Sequence, residues 1–471
     1  MKTSETVSPS LPVTFELARW ASGLSWADLP ESVVHQAKRF VLDYYGAVLP
    51  GSTMPTSRAV QQYFRQSEPG EGNLGVASVA GTQWRFAAHT AAFINGTAAH
   101  GLEIDDGYTP GSYHPGAACL PAIMAVAQEQ QASEQETILA IVVAFEVSCR
   151  LARAGHPHTW QNGFHNTAIN GVFGCAVGVG RLLKLDLQQM TWSLGLAGSF
   201  AGGLFEFLAQ GSEVKRLHPG KCARDGVLVA GLAKLGVDGP TTGIEGENGY
   251  FKAFAGGRAD ADSVLSGLGE QFELLQTYVK PYPCCRHLHA PMDAVLALKS
   301  SQTILPQAIE RIIIQTNRNA AKHGHHQKQT LLDAQMSIPY AVAVALLFDD
   351  IGLTAFGPQV RADPAVDALM HKVMVTTTED MQSPYPKQRP ARVIIEMTDG
   401  SQLTHVQSQP YGEPDNPLDD VALTGKFRAI CDPLLGPDLS ARIAQACWDM
   451  NLTQLFALTA MDSQNLPDLA G

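Results

Sequence analysis

Residues 95–122 gather several groups able to move a proton. Glu103, Asp105, Asp106, His100 and His114 fall within fifteen residues, on a Gly- and Pro-rich run that follows a helical pattern. Carboxylates and imidazoles on a stiff turn suit proton transfer at fixed geometry. The bland alternative is an acidic helix end running into a polar surface loop. Gly163-Phe164-His165 sets another histidine at a helix start. There it would donate a proton or bind a carboxylate beside the helix dipole, or simply be a satisfied core or cap residue.

Two further clusters carry cations. Residues 211–224 hold Lys215, Arg216, Lys221 and Arg224 with His218, between two apolar helical patterns. This is either a surface turn or an anion site at a helix N-terminus. Gly220-Lys221 lacks the upstream glycine and the following Ser or Thr of a phosphate loop, which argues against nucleotide binding. Residues 280–293 bring together Lys280, Cys284, Cys285, Arg286, His287 and His289 near a change of texture, where ligand sites are favoured. Either cysteine would need a positioned base and a lowered pKa to act as a nucleophile. His323-Gly-His325-His326 is metal-like in composition and reads as an exposed loop. Tyr340 opens an apolar helix, where it packs by default; in a site its hydroxyl would donate or relay a proton.

These groups need a scaffold. From about 13 to 275 the pattern is helix after helix, with extended signals nearly absent. Ala- and Gly-rich runs at 86–99, 117–128, 136–154, 167–184, 189–209 and 222–236 predict helices that approach closely. The texture changes near 276. A helix is expected at 290–300, and β-branched runs at 311–316, 372–378, 392–397 and 403–407 read as strands, the last two joined across Asp399-Gly400. Helical stretches at 330–349 and 364–371 lie between them. The fold class is mainly α, with a small α+β part whose sheet is mostly antiparallel; 416–471 returns to helix and packs on the first domain.

The bulk numbers bound the rest. A chain of 471 residues calls for two domains, and 45% hydrophobic with 17% charged residues calls for a large buried core or a broad subunit interface. A net charge of −12 disfavours nucleic acid and anionic membranes as partners. Residues 1–12 are polar and lack a signal-peptide core, and no run is long and apolar enough to cross a membrane, so a cytoplasmic protein is expected. Eight scattered cysteines without C-x-x-C pairs read as free thiols.

The motifs also occur in a fixed order. It runs Asn95-Gly96, His100-x-x-Glu103-x-Asp105-Asp106, His114-Pro115-Gly116, Gly163-Phe164-His165…Gly174, Lys215-x-x-His218-x-Gly220 and Glu245-Gly246. Lys280-x-Tyr282-Pro283-x-Cys285-Arg286-x-x-His289-x-x-x-Asp293-Ala294 and Ala334-Gln335-x-Ser337-x-Pro339-Tyr340 complete it. From about residue 14 to 460 this series resembles the MmgE/PrpD family. That family includes 2-methylcitrate dehydratase, cis-aconitate decarboxylase and iminodisuccinate epimerase. The resemblance implies an all-helical domain built from 1–276 and 409–471, with an inserted α+β lid at 277–408. It also implies a homodimer and catalysis without metal or other cofactor.

Carried over residue by residue, Glu103 stands at an acidic active-site position that is Asp in the decarboxylases. His114, His165, Lys215, Lys280 and Tyr340 fall on active-site positions as well. Gly107 stands where the decarboxylases have Thr, Cys285 stands where they have His, and the loop from Asp106 to His114 is one residue longer. These departures set the chain apart from cis-aconitate decarboxylation. The roles expected are acid and base for His114 and His165, a proton relay or substrate contact for Tyr340, and orientation of a histidine for Glu103. Lys215, Lys280 and Arg286 hold substrate carboxylates, with His218, His289 and Cys285 beside them. The first functional reading is a 2-methylcitrate dehydratase-like hydro-lyase acting next to a carboxylate of a small di- or tricarboxylate. The alternatives are an amino- or imino-dicarboxylate epimerase, a cis-aconitate decarboxylase and a non-catalytic carboxylate-binding protein.

Overall fold

Small side chains decide how closely the helices meet. The computed structural model describes residues 12–68, 75–209, 211–385 and 387–461. At its centre, helices Ala88–Ala99, Pro115–Gln130, Asn166–Leu182 and Val214–Lys234 pack against one another. A Cβ added at Gly96 would lie 2.7 Å from the Gly220 Cα, and one at Gly226 would lie 2.1 Å from the Cys175 Cβ. Backbone therefore meets backbone or a first side-chain carbon, which fixes where the helix ends converge.

Helix Glu134–Gly155 runs beside them and is buried over most of its length. It opens on a reciprocal cap between Ser133 and Glu136. Its internal charges, Glu146 and Arg150, neutralise each other at 2.6 Å. Arg150 spends its remaining donors on the carbonyls of Val264, Ser266, Gly267 and Gln271. The C-terminal helices Asp420–Leu435, Pro437–Trp448 and Leu452–Thr459 join this first core. Lys426 ties them to Glu31–Gly51 by reaching Asp43 at 2.5 Å and the Ile104 carbonyl at 2.8 Å. Residues 462–471, the end of the expected helical return, lie outside the described residues, as do residues 1–11.

The described residues include six strands: β1 (Ala77–Ser78), β2 (Arg85–Phe86), β3 (Ile309–Thr316), β4 (Val373–Thr377), β5 (Ala391–Met397) and β6 (Gln402–Gln407). The short antiparallel β1–β2 pair lies in a region expected to be helical throughout. β3 to β6 form one sheet in the order β4-β3-β5-β6. It is mixed: β3 pairs antiparallel with β5, and β5 with β6, whereas β3 and β4 run parallel. The parallel pair follows from the long helical crossover between them. Ile312, Ile314, Val393 and Ile395 alternate onto the buried face and join helices His289–Ser301 and Ile338–Leu347 in a second core. The expected 330–349 helix is two helices, Leu331–Gln335 and Ile338–Leu347, because Ser337 caps the second and Pro339 sits in its first turn. Among the described residues, no helix is long and apolar enough to cross a membrane.

Candidate active site

The four close-packed helices deliver their ends to one place. His100 is the C-cap of Ala88–Ala99, while His114 and His165 are the N-caps of Pro115–Gln130 and Asn166–Leu182. The Lys215–Gly220 motif, which the sequence leaves as either a surface turn or a helix N-terminus, lies within the first turns of Val214–Lys234. Lys215 and His218, three residues apart, therefore share one helix face. The imidazole rings follow one another: His100 to His114 at 5.0 Å, His100 to His165 at 6.3 Å, and His165 to His218 at 5.1 Å between centroids.

Glu103 sits in the loop after His100 with φ at +57°, a left-handed conformation that an L side chain adopts only when its surroundings hold it there. What holds it is charge. Lys215 pairs with its Oε1, and Lys280, arriving from a distant part of the chain, lies 3.3 Å from its Oε2. All three side chains are buried. Burial alone would raise the Glu103 carboxyl, but the two ammonium groups hold it well below the usual range.

Asp105 is the second anchor. Its Oδ2 meets His100 Nδ1 at 2.7 Å and His114 Nδ1 at 3.4 Å, and its Oδ1 lies 3.8 Å from Lys280 Nζ. His100 and Lys280 overcome burial and keep Asp105 below its ordinary value. Asp106 instead accepts the Gly116 N–H and so caps the Pro115–Gln130 helix. A side chain at Gly116 would strike its carboxylate.

Burial favours the neutral form of His114, His165 and His218. Burial pushes His114 down to about 3 and His218 to about 4, and it drives His165 well below its ordinary value. His114 Nδ1 lies 2.7 Å from the Asp106 carbonyl oxygen. A carbonyl can only accept, so Nδ1 carries the proton and Nε2 keeps a basic lone pair. His165 and His218 face each other through Nδ1 atoms 2.9 Å apart, so one donates to the other. The Nε2 of His100 is buried without a partner among the described residues.

Glu103, His114, His165, Lys215, Lys280 and His218 thus form one connected cluster, joined by His100 and Asp105 of the same acidic stretch, both already singled out in the sequence as proton-transfer candidates. Three other candidates are engaged elsewhere. Arg286 donates to Glu413 at 2.9 Å, to His289 Nδ1 and to the carbonyls of Tyr411 and Pro410. His289 spends its other nitrogen on the Cys284 carbonyl. The Tyr340 hydroxyl donates to the Ala355 carbonyl at 2.7 Å inside the second core.

Cys285 belongs to a different pair. Its Sγ lies 3.8 Å from His323 Nε2, and His323 Nδ1 lies 3.0 Å from the Met336 carbonyl, which orients the ring. Despite burial, His323 draws the Cys285 thiol down to about 7, and the thiol raises His323 in return. His323 is half-buried, so the expectation of an exposed loop at this position is corrected. Tyr278 was also missed. A Cβ at Gly107 would fall 2.2 Å from its hydroxyl oxygen, so the phenol fills the space a side chain at 107 would need.

His100, Asp105 and His114 each place one ligand atom within 4.8 Å of the others, the spacing of a metal site. The Lys280 ammonium beside Asp105 opposes a cation there.

A model of the MmgE/PrpD N-terminal domain matches residues 15–261, and one of the MmgE/PrpD C-terminal domain matches 282–450. The chain belongs to the MmgE/PrpD family. It is an enzyme of the lyase or isomerase type. Similar proteins include a cis-aconitate decarboxylase of Aspergillus terreus, 28% identical over 89% of both chains. The cis-aconitate decarboxylase-like protein oryM of Aspergillus oryzae is 26% identical over 96% of this chain and 99% of its own length. The human cis-aconitate decarboxylase is 26% identical over 90% of this chain and 89% of its own. Within the MmgE/PrpD pattern, the Gly107 departure comes with the Tyr278 phenol against it, and the Cys285 departure comes with the His323 partner.

Proposed function

We propose that this MmgE/PrpD protein is a lyase that works by acid–base chemistry next to a carboxylate of a small di- or tricarboxylate, with a 2-methylcitrate-like hydro-lyase as the first reading. The observation that carries it is the convergence of Lys215 and Lys280 on one buried carboxylate, beside a row of neutral imidazoles. Two ammonium groups hold two carboxylate oxygens in a site from which most water is excluded. That is the arrangement needed to stabilise the enolate formed when a carbon beside a carboxylate loses its proton.

Arrival of the substrate changes the local charge. Before substrate arrives, Glu103 and Asp105 balance the charges of Lys215 and Lys280. An incoming polyanion makes the cluster more negative and raises the imidazole pKa values, which allows one histidine to take up a proton. His114 Nε2 then removes the proton from carbon. The electron pair forms the alkene, and the hydroxyl leaves as water with a proton from protonated His165. The segment 277–408, carrying Lys280, acts as the lid that closes this chemistry off from solvent.

Decarboxylation of cis-aconitate is the second reading, favoured by the cis-aconitate decarboxylases to which about nine-tenths of the chain is similar. NMR in deuterated buffer separates the two, with citrate, 2-methylcitrate, cis-aconitate and amino- and imino-dicarboxylates as the panel. Loss of water from a hydroxylated tricarboxylate supports the first reading. Carbon dioxide release from cis-aconitate with deuterium on the product replaces it with the second, and silence across the panel sinks both.

A further inference from the structure

Five arginines among the described residues are buried: Arg39, Arg150, Arg216, Arg286 and Arg389. Four of them spend their donors on named acceptors. Arg39 bonds Asp420 and the Leu418 carbonyl; Arg150 bonds Glu146 and four carbonyls. Arg216 bonds Glu213 and the His100 carbonyl, and Arg286 bonds Glu413, His289 and two carbonyls. Arg389 is different. It is only 8% exposed, yet among the described residues it has no ion pair within 4 Å and no hydrogen bond, and its Nε is sealed from solvent without a partner. Burying a guanidinium costs free energy; here the nearby Tyr278, Glu413, Tyr385 and Cys285 offset it through space and raise its pKa, while no described group accepts a hydrogen bond from it.

A second orphan lies in the same neighbourhood. Among the described residues, His287 Nδ1 is buried without a partner, and its ring stacks 5.5 Å from His323 and lies 6.3 Å from Tyr385. His323 in turn holds Cys285. The charged and ionisable groups felt by Arg389 are Tyr278, Glu413, Tyr385 and Cys285. Of these, Glu413 is already bound by Arg286. Tyr278 feels both Lys280 and Arg389, so its phenol links this neighbourhood to the lysine cluster.

We propose that Arg389 and His287 form a second carboxylate subsite, which receives a substrate carboxylate remote from the one held by Lys215 and Lys280. The substrate class is therefore a tricarboxylate or a dicarboxylate with separated ends, read bidentately by the guanidinium fork. This rests on the carboxylate-lyase reading above. The subsite sorts substrates by the number and spacing of their carboxylates, and the reacting carbon stays with the histidines.

Calorimetric titration of two inert probes, tricarballylate and malonate, into wild type, Arg389→Met and Arg389→Lys tests it. Malonate carries both carboxylates on one carbon and cannot span the two sites, so tricarballylate should bind wild type more tightly. Arg389→Met should lose on the order of 30-fold in tricarballylate affinity, with Arg389→Lys between the two and the preference over malonate gone. The unliganded melting curve of Arg389→Met checks that the variant is folded at the titration temperature. An unchanged tricarballylate affinity, or a fall in unliganded stability with the preference kept, overturns the subsite and makes Arg389 structural. Lys280→Met tells the two levels apart. If it loses both probes while Arg389→Met loses neither, the parent reading stands alone; if wild type binds neither probe, both fall.

Discussion

His114 concentrates the acid–base argument in one atom. Its Nδ1 proton is committed to the Asp106 carbonyl and its Nε2 is left basic, so His114→Asn should remove the base without unfolding the loop. Turnover should fall by about two to four orders of magnitude while the melting temperature moves little. Equal turnover in the variant would remove His114 from the mechanism. Cys285 supplies a second residue-level expectation. The thiolate is the reactive form, so alkylation by iodoacetamide should accelerate as pH rises through about 7. In His323→Gln the partner cation is gone and the midpoint should move upward; a midpoint that stays in place would mean that His323 does not activate the thiol. Much of the cluster was legible in the sequence, because Glu103, His114, His165, Lys215, His218 and Lys280 stand in motifs that carry their own spacing. Packing was the default reading for Tyr340, but the hydrogen bonds that engage Arg286, His289 and Tyr340 were not legible. Their partners, Glu413, the Cys284 carbonyl and the Ala355 carbonyl, are set by tertiary packing that no local motif encodes.

At the scale of elements, the site is as precise as the packing of four helices. Gly226→Ala would put a Cβ 2.1 Å from the Cys175 Cβ, so the helices bearing Lys215 and His165 must separate. The expected cost is about 1–3 kcal/mol of stability by overpacking, read by urea denaturation, with turnover falling beyond the loss of folded protein. Unchanged stability and turnover would show that the close approach does not set the geometry. The helices themselves were readable from small-residue runs, and the strands from β-branched ones. The start of Val214–Lys234 was hidden because Pro219-Gly220 is a turn signal. Here Gly220 is flush against the Phe93 carbonyl, 2.3 Å from where its Cβ would be, so the motif is a helix–helix contact. The parallel β3–β4 pairing was equally hidden, since strand composition does not reveal direction.

At the scale of the whole molecule, two cores are fastened across their boundary by a few polar groups. Gln335 donates to the Leu102 and Pro283 carbonyls at 2.8 and 2.9 Å and accepts the Cys285 N–H through its own carbonyl. Arg286 joins the 285–289 segment to 410–413. Replacing it with methionine would strand Glu413, so Arg286→Met should cost about 3–5 kcal/mol in unfolding free energy and leave the KM of the surviving folded enzyme near wild type. A raised KM at unchanged stability would restore Arg286 to the substrate. The paired lysines have a consequence for selection among ligands. On the carboxylate-lyase reading proposed above, a monocarboxylate entering the cluster merely trades places with Glu103, like for like. Only a molecule that brings additional anionic groups comes out ahead in the exchange. On that reading Glu103 is a built-in decoy, screening out the abundant simple acids before any chemistry begins.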